Sequence, residues 1–280
     1  MGMRVLKRVR FVASLSLVMV ASSFNLIAQT TPRGVIPLFD GKDLSMFSPW
    51  LVDTKKKDPR KVFSVQGGFL RISGDGLGYL ATKAKYANYR LLLEYRWGQL
   101  NTKWNDRVGK ARDSGVFLHA FGPDGNSIDG KGAYMAGIEC NILQGATGDI
   151  LLIRGKLPNG FALTPRFRST VSIIEDAEGW PYWLPAGKDH QFKEWGRLNR
   201  KGKSINWKDV VDFRSGEEIE KPPSQWNRLE CVCRADTIQI QLNDQLVNEV
   251  HDVFPQEGKI LFQSEGSEIF FRKIELHPLP

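Results

Sequence analysis

Residues that mark several common functional classes are scarce or missing in this sequence. It contains three cysteines among 280 residues, an odd number that does not suggest a disulfide framework, and its histidines lack the spacing of a zinc site. A Gly-x-Ser-x-Gly elbow, a Gly-rich phosphate loop, a His-Glu-x-x-His motif and the paired acids on one strand of laminarinase-like glycosidases are all absent. A catalytic site must therefore draw its groups from separate elements.

Clustered positive charge is also missing. The net charge is +8, but half of it lies in the first 28 residues, which carry Arg4, Lys7, Arg8 and Arg10 and no acid. Elsewhere the basic residues are scattered, with residues 55–57 as a single short run. Nucleic-acid binding needs a clustered basic surface, so the sequence predicts no nucleic-acid partner.

A long apolar run occurs at the N-terminus. The basic segment MGMRVLKRVR precedes the apolar FVASLSLVMVASSFNLIA and the polar QTTPRG, which is the layout of a signal peptide cleaved near Ala28. An uncleaved anchor is the alternative, but polar residues dilute a run that is marginal for the roughly 20 residues of a span. We therefore expect residues 1–28 to be a signal peptide. The mature chain is then periplasmic or extracellular, with no stable membrane span and, lacking a nearby cysteine, no lipid anchor.

The rest of the chain shows short strand patterns at hairpin spacing and no sustained helical period. The predicted strands include residues 62–65, 69–72, 89–100, 113–122, 137–143, 148–155 and 246–250, with hairpins in 226–242 and 258–279. This pattern predicts an all-β jelly roll or β-sandwich in one domain over residues 29–280. Residues 155–225 are predicted to be a long irregular insertion that serves function or packs over an edge.

Alternation along the strands gathers polar side chains on one face. In GIECNIL, Glu139 and Asn141 lie opposite an apolar side. The full polar set, on four strands taken as neighbours, is Glu94 and Arg96, His119, Glu139 and Asn141, Gln263 and Glu265. A solvated outer face of an antiparallel sheet would explain this set, yet its mixture of acids, amides, arginine and histidine also suits a sugar cleft. The pattern alone leaves both interpretations open.

Tryptophans are concentrated in and beside the irregular stretch, at positions 180, 183, 195, 207 and 226. An indole ring in such a place either stacks on a sugar ring or closes a core. We take Trp195 as the candidate for contact with a substrate.

Six segments together resemble a known family. In chain order they are VIPLFDGKDLSMF, YRLLLEYRWG, DSGVFLH, GIECNILQGATGDI, WNRLECVCRADTIQIQLNDQLVNE and GKILFQSEGSEIFFRKIEL. This series, over residues 35–278, resembles the 3-keto-disaccharide hydrolase domain family. The resemblance implies a concanavalin A-like jelly roll of two antiparallel sheets in an exported bacterial protein. It also implies cleavage of glycosides that are already oxidised to a ketone at sugar C3.

The implied reaction gives the polar face a use. A C3 ketone acidifies the C2 proton, so a base can form an enolate, the C1 substituent can leave, and water can add afterwards. Glu139 is the first candidate for the base, because burial raises a carboxylate pKa towards neutrality. His119 is the candidate acid or alternative base. Together with Glu139 it is also a candidate ligand of a divalent metal, the one cofactor that we consider.

The resemblance assigns supporting roles to the remaining polar residues. Arg96 would stabilise the enolate and Glu94 would orient it, while the sugar would be held by Asn141, Gln263, Glu265 and Trp195. Where the family often shows Asn-Ser-Gly and a later Arg, this chain has Asp113, Ser114, Gly115 and His119. That departure leaves the oxyanion role of position 119 open.

Two other functions use the same features. One is a non-catalytic, lectin-like carbohydrate-binding module, since the fold is common among lectins. The other is a conventional glycosidase whose two acids come from separate strands. In all three cases the partner is a carbohydrate.

The signal-peptide expectation is testable directly. After expression in a bacterium that secretes proteins, N-terminal sequencing and intact mass should show a chain that begins near Gln29, because the peptidase cuts after the small residue that ends the apolar run. A mature chain that retains Met1 to Ala28 would contradict it.

Overall fold

The computed structural model of the chain describes residues 29–215 and 218–279, together with Met1. Residues 2–28, on which the signal-peptide prediction falls, lie outside this part. The strands are β1 (Gln29–Thr30), β2 (Ile36–Phe39), β3 (Phe47–Leu51), β4 (Phe63–Gln66), β5 (Phe69–Ile72), β6 (Leu77–Thr82), β7 (Lys85–Tyr86), β8 (Tyr89–Asn101), β9 (Asp113–Phe121), β10 (Ala136–Leu143), β11 (Ile150–Ile153), β12 (Gly155–Lys156), β13 (Ala162–Leu163), β14 (Arg166–Glu175), β15 (Pro181–Trp183), β16 (Lys188–Lys193), β17 (Gly196–Leu198), β18 (Asn227–Arg234), β19 (Thr237–Leu242), β20 (Gln245–Phe254), β21 (Lys259–Glu265) and β22 (Ser267–His277). A 3₁₀ turn spans Trp104–Asp106.

Two large antiparallel sheets contain most of these strands. One sheet has seven strands in the order β17-β11-β10-β9-β21-β6-β3, and the other has eleven in all, β15-β14-β20-β19-β18-β8-β22-β5-β4 with β16 beside β14 and β2 beside β22. The predicted all-β, concanavalin A-like sandwich of two antiparallel sheets is therefore confirmed. In the described part of the chain, no helix is long and apolar enough to cross a membrane.

The main core lies between the two sheets. From the seven-stranded sheet, the inward residues of β9 and β10 enter it, including Val116, Leu118 and Ile138. From the eleven-stranded sheet, alternate residues of β8 meet them, including Leu91 and Leu93. All three cysteines are free and buried in this core, where they pack as small apolar residues.

The predicted irregular insertion is only partly irregular. Strands β12 to β17 occupy much of residues 155–198. Of these, β14 belongs to the eleven-stranded sheet and β17 to the seven-stranded sheet. The prediction was wrong here because the inward positions of β14 include Ser169 between Phe167 and Val171, which weakens the apolar alternation. In the described part of residues 199–226, by contrast, no strand is present.

A buried carboxylate fastens this loop to both sheets. Oε1 of Glu220 accepts hydrogen bonds from the Tyr95 hydroxyl (3.0 Å) and from Nε1 of Trp97 (2.8 Å), both on β8. Its Oε2 accepts one from the backbone N–H of Gly145 (2.8 Å), just after β10. Burial raises the pKa of Glu220, and these hydrogen bonds oppose that rise. The loop is thus tied to β8 of one sheet and to the end of β10 in the other.

Removing this anchor should destabilise the protein. We expect Glu220→Ala to lower the free energy of unfolding by about 2–4 kcal/mol, because three buried donors lose their acceptor. Urea unfolding followed by tryptophan fluorescence measures the change. Glu257→Ala, at an exposed acid, is the matched control and should change the free energy of unfolding by less than about 0.5 kcal/mol. Equal effects of the two variants would contradict the anchoring role.

Candidate active site

A cleft of about 580 Å³ lies on the outer face of the seven-stranded sheet, away from the main core. Its floor is formed by β10, β9 and β21, which are adjacent in that order. A second apolar cluster on this face, which includes Phe117 and Tyr134, packs the loop of residues 122–135 against the sheet. Because both faces of β10 are covered, all of its residues are buried. The residues that line the cleft include Asp113, Tyr134, Glu139, Asn141, Leu143, Arg197, Gln263 and Glu265.

Gly115, in the floor of the cleft, has no side chain and so leaves space for the neighbouring side chains. Gly115 on β9 lies opposite Asn141 of β10. A Cβ atom at this position would lie 1.9 Å from Oε1 of Gln263 and 2.6 Å from Oε1 of Glu139. The two oxygens are therefore separated by no more than the sum of these distances. Any larger residue at position 115 would push the two side chains apart.

Three carboxylates meet over these strands: Asp113 on β9, Glu139 on β10 and Glu265 on β21. Burial raises the pKa of Glu139 well above its ordinary value, and repulsion from Glu265 and Asp113 raises it further. Burial likewise raises the pKa of Asp113, with repulsion from Glu265 adding to it. Burial raises the pKa of Glu265 too, although a hydrogen bond from the Tyr134 hydroxyl (2.9 Å) opposes the rise. The cleft therefore retains protons at a pH where free carboxyl groups have lost them.

Two amide oxygens in the cleft have no partner among the described residues. Oδ1 of Asn141 and Oε1 of Gln263 are buried, and neither accepts a hydrogen bond within the part of the chain that the structure describes. The described residues also donate no hydrogen bond to the carboxylate of Glu139. Unpaired buried polar groups are rare in folded proteins and need an explanation. Both oxygens line one cleft, where a bound polar molecule can donate hydrogen bonds to them.

Arg197 supplies positive charge to the cleft. It lies on the short edge strand β17, opposite Leu151 of β11. Its Nε donates to Oδ2 of Asp149 (2.9 Å), and the ammonium group of Lys203 lies 3.1 Å from the same oxygen. Burial opposes the charged form of Arg197, but the attraction of Asp149 raises its pKa overall. The guanidinium is thus fixed and charged beside Glu139.

Arg197 and Asp113 are among the residues of this cleft that sequence reasoning missed. Arg197 was hidden because its three-residue strand lies in the stretch predicted to be irregular. Asp113 could have been found, because it alternates with Gly115 and Phe117 on the same face of β9. Glu139, Asn141, Gln263 and Glu265 do lie together, as the alternation predicted.

The expectation that His119 shares the face of Glu139 is wrong. A β-bulge interrupts the pairing of β9 with β10, and His119 has a positive φ of 57°. The extra residue reverses the alternation, so the ring lies against Tyr89 of the opposite sheet, with 5.6 Å between ring centroids. Nδ1 of His119 lies 2.9 Å from the carbonyl oxygen of Pro255. Burial lowers the pKa of His119 to about 4, so the ring is a neutral core group.

The suggested metal site fails for the same reason. His119 and Glu139 point to opposite sides of the sheet, so they cannot bind one ion together. Across the described residues, no group of three or more His, Cys, Asp and Glu side chains has the arrangement of a metal site.

Glu94 and Arg96 are also absent from the cleft. Their alternation on β8 was predicted correctly, but β8 is a central strand of the eleven-stranded sheet. Glu94 pairs with Arg272 on the outer face of that sheet. The guanidinium of Arg96 lies 5.2 Å from the ring centroid of Trp226 and 5.0 Å from that of Phe270. Alternation assigns a face within one strand and cannot say which sheet the strand joins.

Trp195 does not line the cleft. Its side chain is 55% exposed and packs edge-on against Trp180, with 4.7 Å between ring centroids. It borders a separate cavity of about 260 Å³ together with His190 and Lys193.

The chain forms an antiparallel β-sandwich, and a cleft in one sheet contains acids, amides and a fixed arginine. These groups are suited to a carbohydrate-active protein. The sequence model of the family described as 3-keto-alpha-glucoside-1,2-lyase-like domain matches residues 34–277, and the chain belongs to that family. The resemblance drawn from the six segments is therefore confirmed. The chain is a carbohydrate-acting domain, and its partner is a sugar.

Solved structures with similar chain traces include two candidate glycosyl hydrolases from Parabacteroides distasonis. The first has 15% sequence identity and a TM-score of 0.49, covering 88% of this chain and 94% of that one. The second has 19% identity and a TM-score of 0.47, covering 88% and 99%. A β-glucanase from Bacillus licheniformis has 10% identity and a TM-score of 0.43, covering 88% and 99%. No curated protein matches the sequence.

The buried histidine should make folding sensitive to acid. The folded pKa of His119, about 4, lies below its ordinary value of 6.5, so the neutral ring stabilises the fold fully above pH 6.5. That contribution is lost as the pH falls towards 4, by roughly 3 kcal/mol at most. Urea unfolding between pH 7 and 4 should show a shallower decline for His119→Gln than for the wild type. His190→Gln, at an exposed ring, should keep the wild-type slope, and parallel slopes for all three proteins would contradict the assignment.

Proposed function

We propose that the cleft cleaves 3-keto-glycosides by elimination and hydration, with Glu139 as the base. The observation that carries the proposal is the state of this carboxylate. It is buried, lacks a hydrogen bond from any described residue, and has a pKa raised by burial and by two neighbouring acids. Such a group is a stronger base than a solvated carboxylate. The predicted signal peptide would place this reaction outside the cytoplasm.

The proposed reaction has two stages. Glu139 takes the proton from C2, whose acidity comes from the C3 ketone, and the electron pair of the C–H bond forms an enolate. The enolate re-forms the ketone as the C1–O bond breaks, which releases the aglycone with a proton and leaves a C1=C2 double bond. Water then adds, with its hydroxyl on C1 and a proton on C2. The products are the free 3-keto sugar and the aglycone, as in hydrolysis.

The other cleft residues suit the remaining tasks. Arg197 replaces Arg96 as the cation for the enolate oxygen, because its charge is held in place before the reaction begins. The unpaired amides of Asn141 and Gln263 would bind sugar hydroxyls. Glu265, which has a raised pKa, would protonate the departing aglycone.

The two alternative functions differ from this one in what they need. A lectin-like module needs hydrogen-bonding groups but no carboxylate whose pKa is raised by like charges, so the coupled acids favour catalysis. A conventional glycosidase needs one protonated and one ionised acid beside the glycosidic bond. Three acids in one cleft also suit that reaction, so the test must include unoxidised glycosides.

Glu139→Gln is the decisive variant. It should lower kcat/KM on 3-keto-glucosides by about 10²–10⁴, the usual contribution of a positioned base, while calorimetry shows that the sugar still binds. Glu257→Gln is the matched control and should retain wild-type activity. The wild type should leave the parent glucosides intact, and treatment with a chelator will show whether a divalent metal takes part.

Three results would point elsewhere. Cleavage of the parents but not of the 3-keto forms would replace elimination by ordinary glycosidic hydrolysis. Binding without turnover by the wild type would indicate a carbohydrate-binding module. Full activity of Glu139→Gln would remove Glu139 from the mechanism.

The pH dependence of activity should respond to the neighbouring acids. The base must be ionised, so kcat/KM should rise with pH as Glu139 loses its proton. Asp113→Asn removes one like charge that raises the pKa of Glu139, so the rise should occur at lower pH than in the wild type. Profiles of kcat/KM between pH 4 and 9 measure this shift, and an unchanged or upward-shifted midpoint would contradict the coupling.

A further inference from the structure

A second polar cavity lies beside the eleven-stranded sheet, which does not contain the cleft. Its volume is about 690 Å³. Its lining comes from the end of β8, the start of β22, Arg112 and the loop of residues 199–226. Among the described residues, none lines both this space and the cleft. We call it the Arg96 cavity, after the residue of β8 that gives it its charge.

Arg96 is held in the cavity by aromatic rings. Its guanidinium carbon lies 5.0 Å from the ring centroid of Phe270, 5.2 Å from that of Trp226 and 5.9 Å from that of Phe69. Cation–π attraction of this kind fixes the group without occupying its donors with an oxygen acceptor. Within the part of the chain that the structure describes, no residue accepts a hydrogen bond from the guanidinium or pairs with it, and its Nε is buried. Buried donors without acceptors are costly, so the guanidinium is ready to bind one.

The other charged groups of the cavity are already paired. Nη1 of Arg112 donates to Oδ1 of Asp212 (2.6 Å). Glu268 accepts a hydrogen bond from Nε of Arg71 (2.7 Å). Across the described residues that line the cavity, the positive charge of Arg96 is therefore left without a counter-charge. A ligand with one negative charge balances it, whereas a doubly charged anion is disfavoured by the two nearby acids.

The shape and remaining polar groups narrow the ligand further. The planar guanidinium matches a carboxylate through two parallel hydrogen bonds. The cavity is far larger than a free carboxylate needs and lies within the usual range of small-molecule sites. Oδ2 of Asp212 and the hydroxyl of Ser224 form no hydrogen bond with a described residue, so they can bind hydroxyl groups. A sugar acid offers both one carboxylate and several hydroxyls.

We propose that the Arg96 cavity is an accessory binding site for a uronic-acid residue of an acidic glycan, with the carboxylate on Arg96. The site lies on a different sheet from the cleft and does not depend on the function proposed there. It would attach the domain to a carboxylate-bearing glycan while the cleft remains free.

NMR titration of the purified, ¹⁵N-labelled protein tests the site where it lies. The backbone N–H signals of Gln99 and Leu100, which line the cavity, report binding there in every variant. The probes are methyl glucuronide and methyl galacturonide, compared with methyl glucoside, acetate and inorganic phosphate. At least one uronide should shift these signals and bind about tenfold more tightly than each of the three comparison compounds, because it alone combines one carboxylate with hydroxyls.

Arg96→Gln should weaken binding of that uronide by about tenfold or more, since it removes the unpaired charge. Arg96→Lys keeps the charge but loses the planar pair of donors, and should weaken binding by about threefold or more. Arg90→Gln is the matched control. Arg90 lies on the same face of β8 but already pairs with Glu230 (3.6 Å), so its loss should change the affinity by less than about twofold.

Several outcomes would overturn the proposal. Acetate that binds as tightly as the uronides would leave only a site for simple carboxylates, and tighter binding of phosphate would assign the cavity to a different anion. Failure of both uronides to bind, unchanged affinity in Arg96→Gln and Arg96→Lys, or an equal loss in Arg90→Gln would each remove the site. None of these results bears on the reaction proposed for the cleft, because the signals come from the other sheet.

Discussion

The gathering of three buried carboxylates in one cleft is the constraint on which the rest of this structure depends. Asp113, Glu139 and Glu265 come from three adjacent strands. Burial raises the pKa of all three, and repulsion from Glu265 raises those of Asp113 and Glu139 further. Such an arrangement is costly, because a buried charge without a counter-charge loses several kcal/mol of hydration. The fold limits this cost with Arg107 and Arg197, each held by a further acid outside the cleft. The remaining imbalance keeps Glu139 basic.

The loop of residues 199–226 helps to hold the positive charges that offset the three carboxylates. Residues 199–226 carry Asp209, which pairs with Arg107, and Lys203, which donates to Asp149, the same acid that holds Arg197. The loop in turn depends on Glu220, whose hydrogen bonds reach β8 and the end of β10. This segment, whose described part contains no strand, is thus fixed by buried polar contacts, and these contacts hold the charges at the cleft in place. Preorganised charge of this kind is the main source of transition-state stabilisation in many enzymes.

Small features of the backbone decide which side chains reach the cleft. Gly115 leaves room for Glu139 and Gln263 to approach each other over β9. Four residues later, the β-bulge at His119 reverses the alternation of side chains along the strand, so the imidazole ring lies in the core. One strand therefore contributes an open floor at one end and a neutral histidine at the other.

The sequence by itself determined the fold class, most strand positions and the polar group of Glu139, Asn141, Gln263 and Glu265. These follow from a two-residue period that physics imposes on any strand with one face in a core. Only the tertiary structure decided that β8 belongs to the other sheet, that Arg197 completes the cleft, and that His119 leaves it. Sheet membership, a three-residue edge strand and a single bulge depend on contacts between distant segments. Periodicity within one segment carries no record of those contacts.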